Sequence, residues 1–317
     1  MKKISVLIPI YNEQDSLPRL FERVGTLMDS NIGYEWEIML VNDGSTDKSL
    51  EIAAIQHQKD ARFRILDLSR NYGKEIAMMA GLDYVTGDCA VIMDADLQHP
   101  PEFIPNMIAE WEDGWDDVYG KREDRGKESW IRKKLSLTYY KLLQKQTRID
   151  ILQNVGDFRL LDRQCIEALK ELREVHRYTK GMFCYIGFRK KGVDIRTDDR
   201  LDGDSKWNFG NLISLAVEGI TSYTSAPLRI ATIAGLTVSF ASFLYMVVVV
   251  VRTLIYGDPV PGFPSLIIVI LLLGGIQLIA LGIIGEYIGR IFDEAKQRPA
   301  YFVRTIDGER VISSHTT

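Results

Sequence analysis

Cysteine is scarce in this chain. Three occur in 317 residues, Cys89, Cys165 and Cys184, far apart and with no CxxC pair. That spacing gives no disulfide framework and no thiolate metal site, and it fits buried, reduced thiols. An excess of one charge is also missing, since 39 Lys+Arg face 43 Asp+Glu. With no nucleic-acid-binding motif beside that balance, no nucleic-acid partner is expected. No GxGxxG follows the first apolar run and no GxxxxGK[ST] occurs. Dinucleotide-dependent redox chemistry and a P-loop NTPase thereby lose their main support. The N-terminal MKKISVLIPIYNEQD has an apolar run but no small-residue cleavage site, so it reads as a first strand and not as a signal peptide.

Charge is absent altogether from two stretches near the other end. Residues 230–251 carry none, and residues 265–285 carry one polar amide, Gln277. Each is about 20 residues long, enough at about 1.5 Å per helical residue to cross a hydrocarbon core of roughly 30 Å. The linking GDPVPGFP, with three prolines, predicts a turn, so the two runs read as a membrane hairpin. Arg229 precedes the first run and Arg290, Lys296 and Arg298 follow the second. Positive flanks favour the cytoplasm, which puts both tails inside. Arg252 is a counter-signal at the far end of a run, where it can snorkel outward.

Upstream, residues 1–205 alternate strand and helix signals. ISVLIPI, EWEIMLV, RFRILDL and DCAVIMD are apolar runs of strand length. Between them Leu17, Leu20, Val24 and Leu27, then Leu50, Ala53 and Ala54, then Ile76, Met79 and Ala80 follow helical spacing. This alternation predicts βαβ units and a mostly parallel sheet, in which ligands bind at the carboxyl ends of the strands. Polar motifs sit at those ends: PIYNE, VNDGSTD, DLSRNYGKE and MDADLQHP. Ser45 or Thr46 is expected to cap a helix from Asp47. An extended backbone would put Asp94 and Asp96 on one side. Two such carboxylates repel unless protonated or metal-bound, and oxygen-only donors suit Mg²⁺ or Mn²⁺, with Gln98 as a third oxygen. Pro100 and Pro101 would end the turn and open a helix. His99, beside the prolines, is read as structural.

PIYNE, VNDGSTD, DADLQHPPE, GDFRLLDR and RLDGDSKW, in this order, resemble the family 2 glycosyltransferases of GT-A fold. The likeness is to the polyprenyl-phosphate hexose synthases, and among them to bacterial bactoprenol glucosyltransferases, because two apolar runs follow SYTSAPLRI. The resemblance implies a Rossmann-like α/β domain, here 1–205. It implies a nucleotide pocket lined by Pro9, Tyr11, Glu13 and Asp43. Asp94, Asp96 and Gln98 fall on its metal and diphosphate positions, with Asp96 among the catalytic residues. Arg200 and Lys206 match a basic pair that closes over the donor diphosphate. Fixed cations there would stabilise the charge that develops as the sugar bond breaks.

Residues 121–148 hold ten basic and three acidic side chains, and Ile131, Leu135, Tyr139, Leu142 and Leu143 follow a helical stripe. This predicts a basic amphipathic helix over about 127–147 at a membrane surface. A second stripe, Leu212, Ile213, Ala216 and Ile220 with Trp207 nearby, predicts a juxtamembrane helix within 206–228. The hairpin then covers 229–290 and a cytoplasmic tail 291–317. By the resemblance, Arg122, Arg132 and Ser136 fall where the acceptor phosphate binds, and guanidinium groups suit a phosphate. The resemblance also places Asp157 near the acceptor as a catalytic residue. A lipid monophosphate has a second pKa of about 6 and is mostly a dianion at neutral pH, so a general base and an orienting carboxylate both stay open for Asp157.

The resulting expectation is an inverting hexosyltransferase of the inner membrane, multi-pass, with its catalytic domain in the cytoplasm. Its partners would be a nucleotide sugar such as UDP-glucose, a polyprenyl phosphate and the lipid bilayer, with a homo-oligomer left open. The alternatives are mannosyl or aminoarabinosyl transfer to the same lipid, and a membrane-anchored nucleotide-sugar sensor without turnover.

Overall fold

The computed structural model describes residues 1–122, 155–174, 179–195, 226–256 and 262–311. It divides into two units, Met1–Asn208 with Pro299–Thr317, and Phe209–Arg298.

The first unit is built on the four apolar runs. They form β1 (Lys3–Ile10), β2 (Glu35–Asn42), β3 (Phe63–Leu68) and β4 (Cys89–Ile92). The helices between them are α1 (Leu17–Ser30), α2 (Ser49–Lys59) and α3 (Lys74–Tyr84). These strands lie in the order β4-β1-β2-β3 and pair in parallel. Both faces are covered, which is why the runs read as continuously apolar. One core joins Ile4, Val6, Ile8 and Val91 to α1 through Leu17, Leu20 and Val24. The other joins Leu7, Val41 and Ile92 to α3 through Ala77, Met78 and Ala80. Pro101 opens a 3₁₀ turn, Pro101–Phe103, that runs into α4 (Ile104–Glu112), as the proline pair predicted.

The sheet is not mostly parallel. Beyond β4 come β6 (Val155–Asp162), β5 (Asp117–Arg122) and β7 (Lys190–Ile195). β6 is antiparallel to both β4 and β5, whereas β7 is parallel to β5. At the other edge β8 (Val303–Ile306) is antiparallel to β3, and β9 (Glu309–Arg310) follows β8 in a hairpin. The described residues thus form a nine-stranded mixed sheet. The expectation failed because it was drawn from the first four strands, where crossover helices force parallel pairing. α5 (Arg163–Glu171), capped by the Asp162 carboxylate accepting from Gln164 N–H, and α6 (Thr179–Tyr185) pack on the face that holds α3.

The strand that follows the apolar segment is firmly seated. Asp307 Oδ1 accepts from Ile65 N–H at 2.8 Å, and the Tyr301 hydroxyl donates to Asp83 at 2.7 Å. Arg304 reaches the Ser69 carbonyl at 2.6 Å and lies 3.5 Å from the buried Asp67.

The second unit holds α7 (Ala226–Tyr256) and α8 (Phe263–Ala295). Among the described residues one stretch, Leu272–Ala295, is long and apolar enough to cross a membrane, and Ala231–Tyr245 is a shorter apolar segment. Two spanning helices, as expected from the sequence, are therefore not established by this criterion.

Candidate active site

The carboxyl ends of β1, β2, β3 and β4 carry the polar motifs, and hydrogen bonds lace their loops together. Asn12, in the left-handed region at φ 55°, takes the Thr46 N–H on its Oδ1 at 2.8 Å and gives its own N–H to Ser45 Oγ. Glu13 N–H donates to Ser49 Oγ at 2.7 Å. Ser45 and Thr46 thus tie one loop to the next and do not cap α2, whose N-cap position is Lys48. The Asp47 carboxylate accepts the Ser49 N–H at 3.0 Å instead. Gly44 has φ +66°, and a Cβ there would lie 2.5 Å from the backbone of Arg70 and Asn71. Only glycine lets the loop after β2 pass so close to the loop after β3.

Asp43 is almost wholly buried and accepts Tyr72 N–H at 2.7 Å and Gly73 N–H at 2.9 Å. It fixes the entry to α3. Pro9 is half-buried on β1, and Tyr11 is exposed at its end. Burial pushes the Glu13 carboxyl pKa up, the Ser16 hydroxyl pulls against it, and the nearby Asp96, Asp94 and Asp47 charges add to the rise.

The chain leaves the sheet at Ile92, and Asp96 lies in a turn rather than on an extended strand. Strand alternation is therefore not what places Asp94 and Asp96, although both lie near Glu13. Leu97 is left-handed at φ 58° with its side chain in the core. Burying a leucine stabilises by about 1.5–3 kcal/mol, enough to offset strain of roughly that size. Asp94 is half-buried, Asp96 is exposed, and Asp96 Oδ1 accepts the Gln98 N–H at 3.1 Å. His99 is buried and its ring stacks on Phe158 at 5.1 Å, a structural placement.

Asp157, on β6, meets this loop through a residue the motif reading passed over. Lys74 Nζ lies 2.6 Å from Asp94 Oδ1 and 2.7 Å from Asp157 Oδ2. Burial alone would lower the ammonium's pKa, but the two carboxylates outweigh it and hold it above the ordinary lysine value. A signal was present in the sequence: a cation in the first turn of a helix opposes the helix dipole, so it needs a tertiary reason. The structure therefore brings together Glu13, Asp94, Asp96, Asp157 and Lys74. Arg122 ends β5. Arg132, Ser136, Arg200 and Lys206 lie outside the described residues, as do the predicted amphipathic helix over about 127–147 and residues 206–225 of the second, whose last three residues open α7.

Among the described residues no three His, Cys, Asp or Glu side chains converge as a metal cage. Mg²⁺ and Mn²⁺ do not need one, because one or two carboxylates and substrate phosphates suffice. Two carboxylates on an open loop at a strand end fit that donor set.

A glycosyl transferase family 2 model matches residues 5–170, and a model of the GtrB C-terminal hairpin matches residues 226–291. The chain belongs to glycosyl transferase family 2 and is a glycosyltransferase, its fold a GT-A-like α/β domain with a mixed sheet. It is 41% identical over 302 residues to the bactoprenol glucosyl transferase of Shigella phage SfV, covering 95% of this chain and 98% of that one. It is 40% identical over 304 residues to the prophage bactoprenol glucosyl transferase homolog of Escherichia coli K12, covering 96% and 99%. Among solved structures, a glucosyl-3-phosphoglycerate synthase from Mycobacterium tuberculosis superposes with a TM-score of 0.48 at 17% identity, over 69% of this chain and 78% of that one.

Proposed function

We propose that this glycosyltransferase moves a hexose, glucose from UDP-glucose, onto a polyprenyl phosphate at the cytoplasmic face of the membrane. The observation that carries the reading is the joining of a strand-end carboxylate site to apolar helices whose described large side chains face solvent, among them Phe240, Leu254, Leu278 and Ile291. Such surface asks for a lipid environment, and a lipid acceptor is a substrate that a membrane-held transferase meets there. The relatives named for bactoprenol support the acceptor and the sugar.

Two crossings are supported by connectivity. The chain leaves the first unit before α7 and re-enters it after α8, where β8 joins the same sheet as β1 to β4. Both ends of the apolar segment then lie on one side of a membrane, which requires an even number of crossings. The positive flanks make that side the cytoplasm.

In the proposed reaction an oxygen of the acceptor phosphate attacks the anomeric carbon in line. The bond from that carbon to the diphosphate breaks, and its electron pair leaves on the nucleoside diphosphate, inverting the centre. A divalent cation held by Asp94 and Asp96 would offset the leaving group's charge. Arg200 and Lys206 would do so from the other side, and Gln98 would add an oxygen. Pro9, Tyr11, Glu13 and Asp43 would shape the nucleotide pocket. Arg122, Arg132 and Ser136 would receive the acceptor phosphate. The Lys74 contact supports an orienting role for Asp157, with a general-base role as the alternative.

Purified protein incubated with labelled UDP-glucose, GDP-mannose and UDP-aminoarabinose tests this directly. Label should pass from UDP-glucose to polyprenyl phosphate and stop in a chelator. Transfer to lipid from another donor alone would replace the sugar assignment, and binding without turnover on any lipid phosphate would favour a sensor.

A further inference from the structure

Lys74 is the first residue of α3, where the helix's partial positive charge disfavours a cation. The backbone that delivers it is fixed from three sides. Tyr72 and Gly73 donate to the two oxygens of Asp43, Asn71 Oδ1 accepts a second bond from Gly73 N–H at 3.0 Å, and Gly73 takes a left-handed φ of 91°. The two carboxylates it meets come from neighbouring strands: Asp94 lies two residues past the end of β4, whose Ile92 pairs with Arg159, and Asp157 lies two residues before Arg159 on β6, so that both reach one ammonium. Like charges placed so repel. Lys74 offsets that repulsion with one ammonium, leaving the three side chains with one net negative charge, and Asp96 adds a second.

We propose that Lys74 is a positioning residue, the resident counter-cation of the donor site. It holds Asp94 beside Asp157 before substrate arrives, and it yields Asp94, while keeping Asp157, when a divalent cation binds. The proposal rests on the reading that Asp94 and Asp96 take that cation. The flexible four-carbon stem of lysine permits the change without backbone movement. One consequence is weak metal binding in the absence of donor, because the metal must displace an ammonium already at 2.6 Å from Asp94. Another concerns the acceptor. A bare Asp157 would repel a phosphate dianion, and an Asp157 still paired with Lys74 does not. One side chain thereby serves both halves of the reaction.

The test is Mn²⁺ binding to the full chain in detergent, followed by the EPR signal of free Mn²⁺, with no sugar nucleotide or lipid present. Lys74→Met should tighten Mn²⁺ binding by about tenfold or more, the scale of one nearby unit charge in a partly screened site. Lys74→Arg, which keeps the charge, should stay within about threefold of the parent. In transfer assays Lys74→Met should raise the KM for polyprenyl phosphate several-fold, and Lys74→Arg should restore it in part. A merely structural lysine would change the melting temperature and leave Mn²⁺ affinity alone. Should Lys74→Met fail to fold, Lys74→Gln answers the same question. Mn²⁺ affinity that is unchanged or weaker in a folded, uncharged variant overturns the proposal and leaves the metal reading standing. No Mn²⁺ binding to parent or variant overturns both.

Discussion

Two charged clusters lie two residues apart on one face of β6, and they are built in opposite ways. Arg159 is sealed. Its Nη1 lies 3.0 Å from Asp117 Oδ2, the two side chains are 2% and 0% exposed, and Phe183 covers the guanidinium at 3.7 Å. Asp157 is open. It shares Lys74 with Asp94, and the three side chains are 18%, 41% and 28% exposed. Counting only the side chains just named, the sealed cluster has one charge of each sign, and the open cluster has one more anion than cation. Closure with balanced charge fixes neighbouring strands; exposure with unbalanced charge leaves room for a ligand cation. On the proposed reading, the difference separates a cluster that serves the fold from one that serves the chemistry.

The largest effect should come from breaking the sealed pair. Asp117→Ala leaves a buried guanidinium without its partner, and denaturant titration should show a loss of about 3–5 kcal/mol. Burial pushes the Asp117 carboxyl pKa upward against the pull of Arg159 and Lys190, so desolvation is already a heavy cost of the pair. The double replacement Asp117→Leu with Arg159→Met should therefore cost no more than about 1 kcal/mol. A double variant as unstable as the single one would mean the pair is held for its bonds and not merely tolerated.

The open cluster should respond in rate and not in stability. Asp96→Asn should lower sugar transfer by about two orders of magnitude or more, as expected when leaving-group charge loses its stabiliser, with an unchanged melting temperature. Full activity of that variant in a chelator would remove the metal from the site. Asp157→Asn should cost less than about tenfold, with a rate nearly flat above about pH 7, because the acceptor phosphate supplies its own charge. A loss of two to four orders of magnitude, roughly the range for a missing general base, would make Asp157 that base.

The smallest effect concerns Glu13, whose pKa is raised chiefly by burial, with Asp96 and Asp94 adding to it. A carboxyl raised in the folded state costs stability where it is ionised. It costs nothing at pH values low enough to protonate it in both states. Glu13→Gln should thus raise stability at neutral pH by about 0.5 kcal/mol, the scale of half-exposed charges. Melting curves against pH should show the gain fading as pH falls from above the ordinary glutamate value down to it, and absent below it.

Much of this contrast could not be read in the sequence. β1 to β4 and α1 to α3 were legible because apolar run length and helical period report local geometry. The acidic strand ends were legible because a parallel sheet gathers them at one edge. The meeting of Asp94 and Asp157 was not, since it depends on an antiparallel strand 63 residues away along the chain. Lys74 carried a hint only in being a cation at the wrong end of a helix. β8 carried less: VRTI is four residues long, and its partner lies more than two hundred residues upstream.

That partnership sets an order of events during synthesis. β3 is made early, yet its outer edge stays bare until β8 emerges, after both apolar helices have been translated. An uncovered edge strand invites wrong pairing with other chains. During that interval Asp67, buried in the finished sheet beside Asn42, also lacks Arg304. The nascent domain therefore cannot complete itself ahead of its hairpin. A chain that stalls before β8 is made is left with an open sheet, a natural substrate for chaperones and proteases.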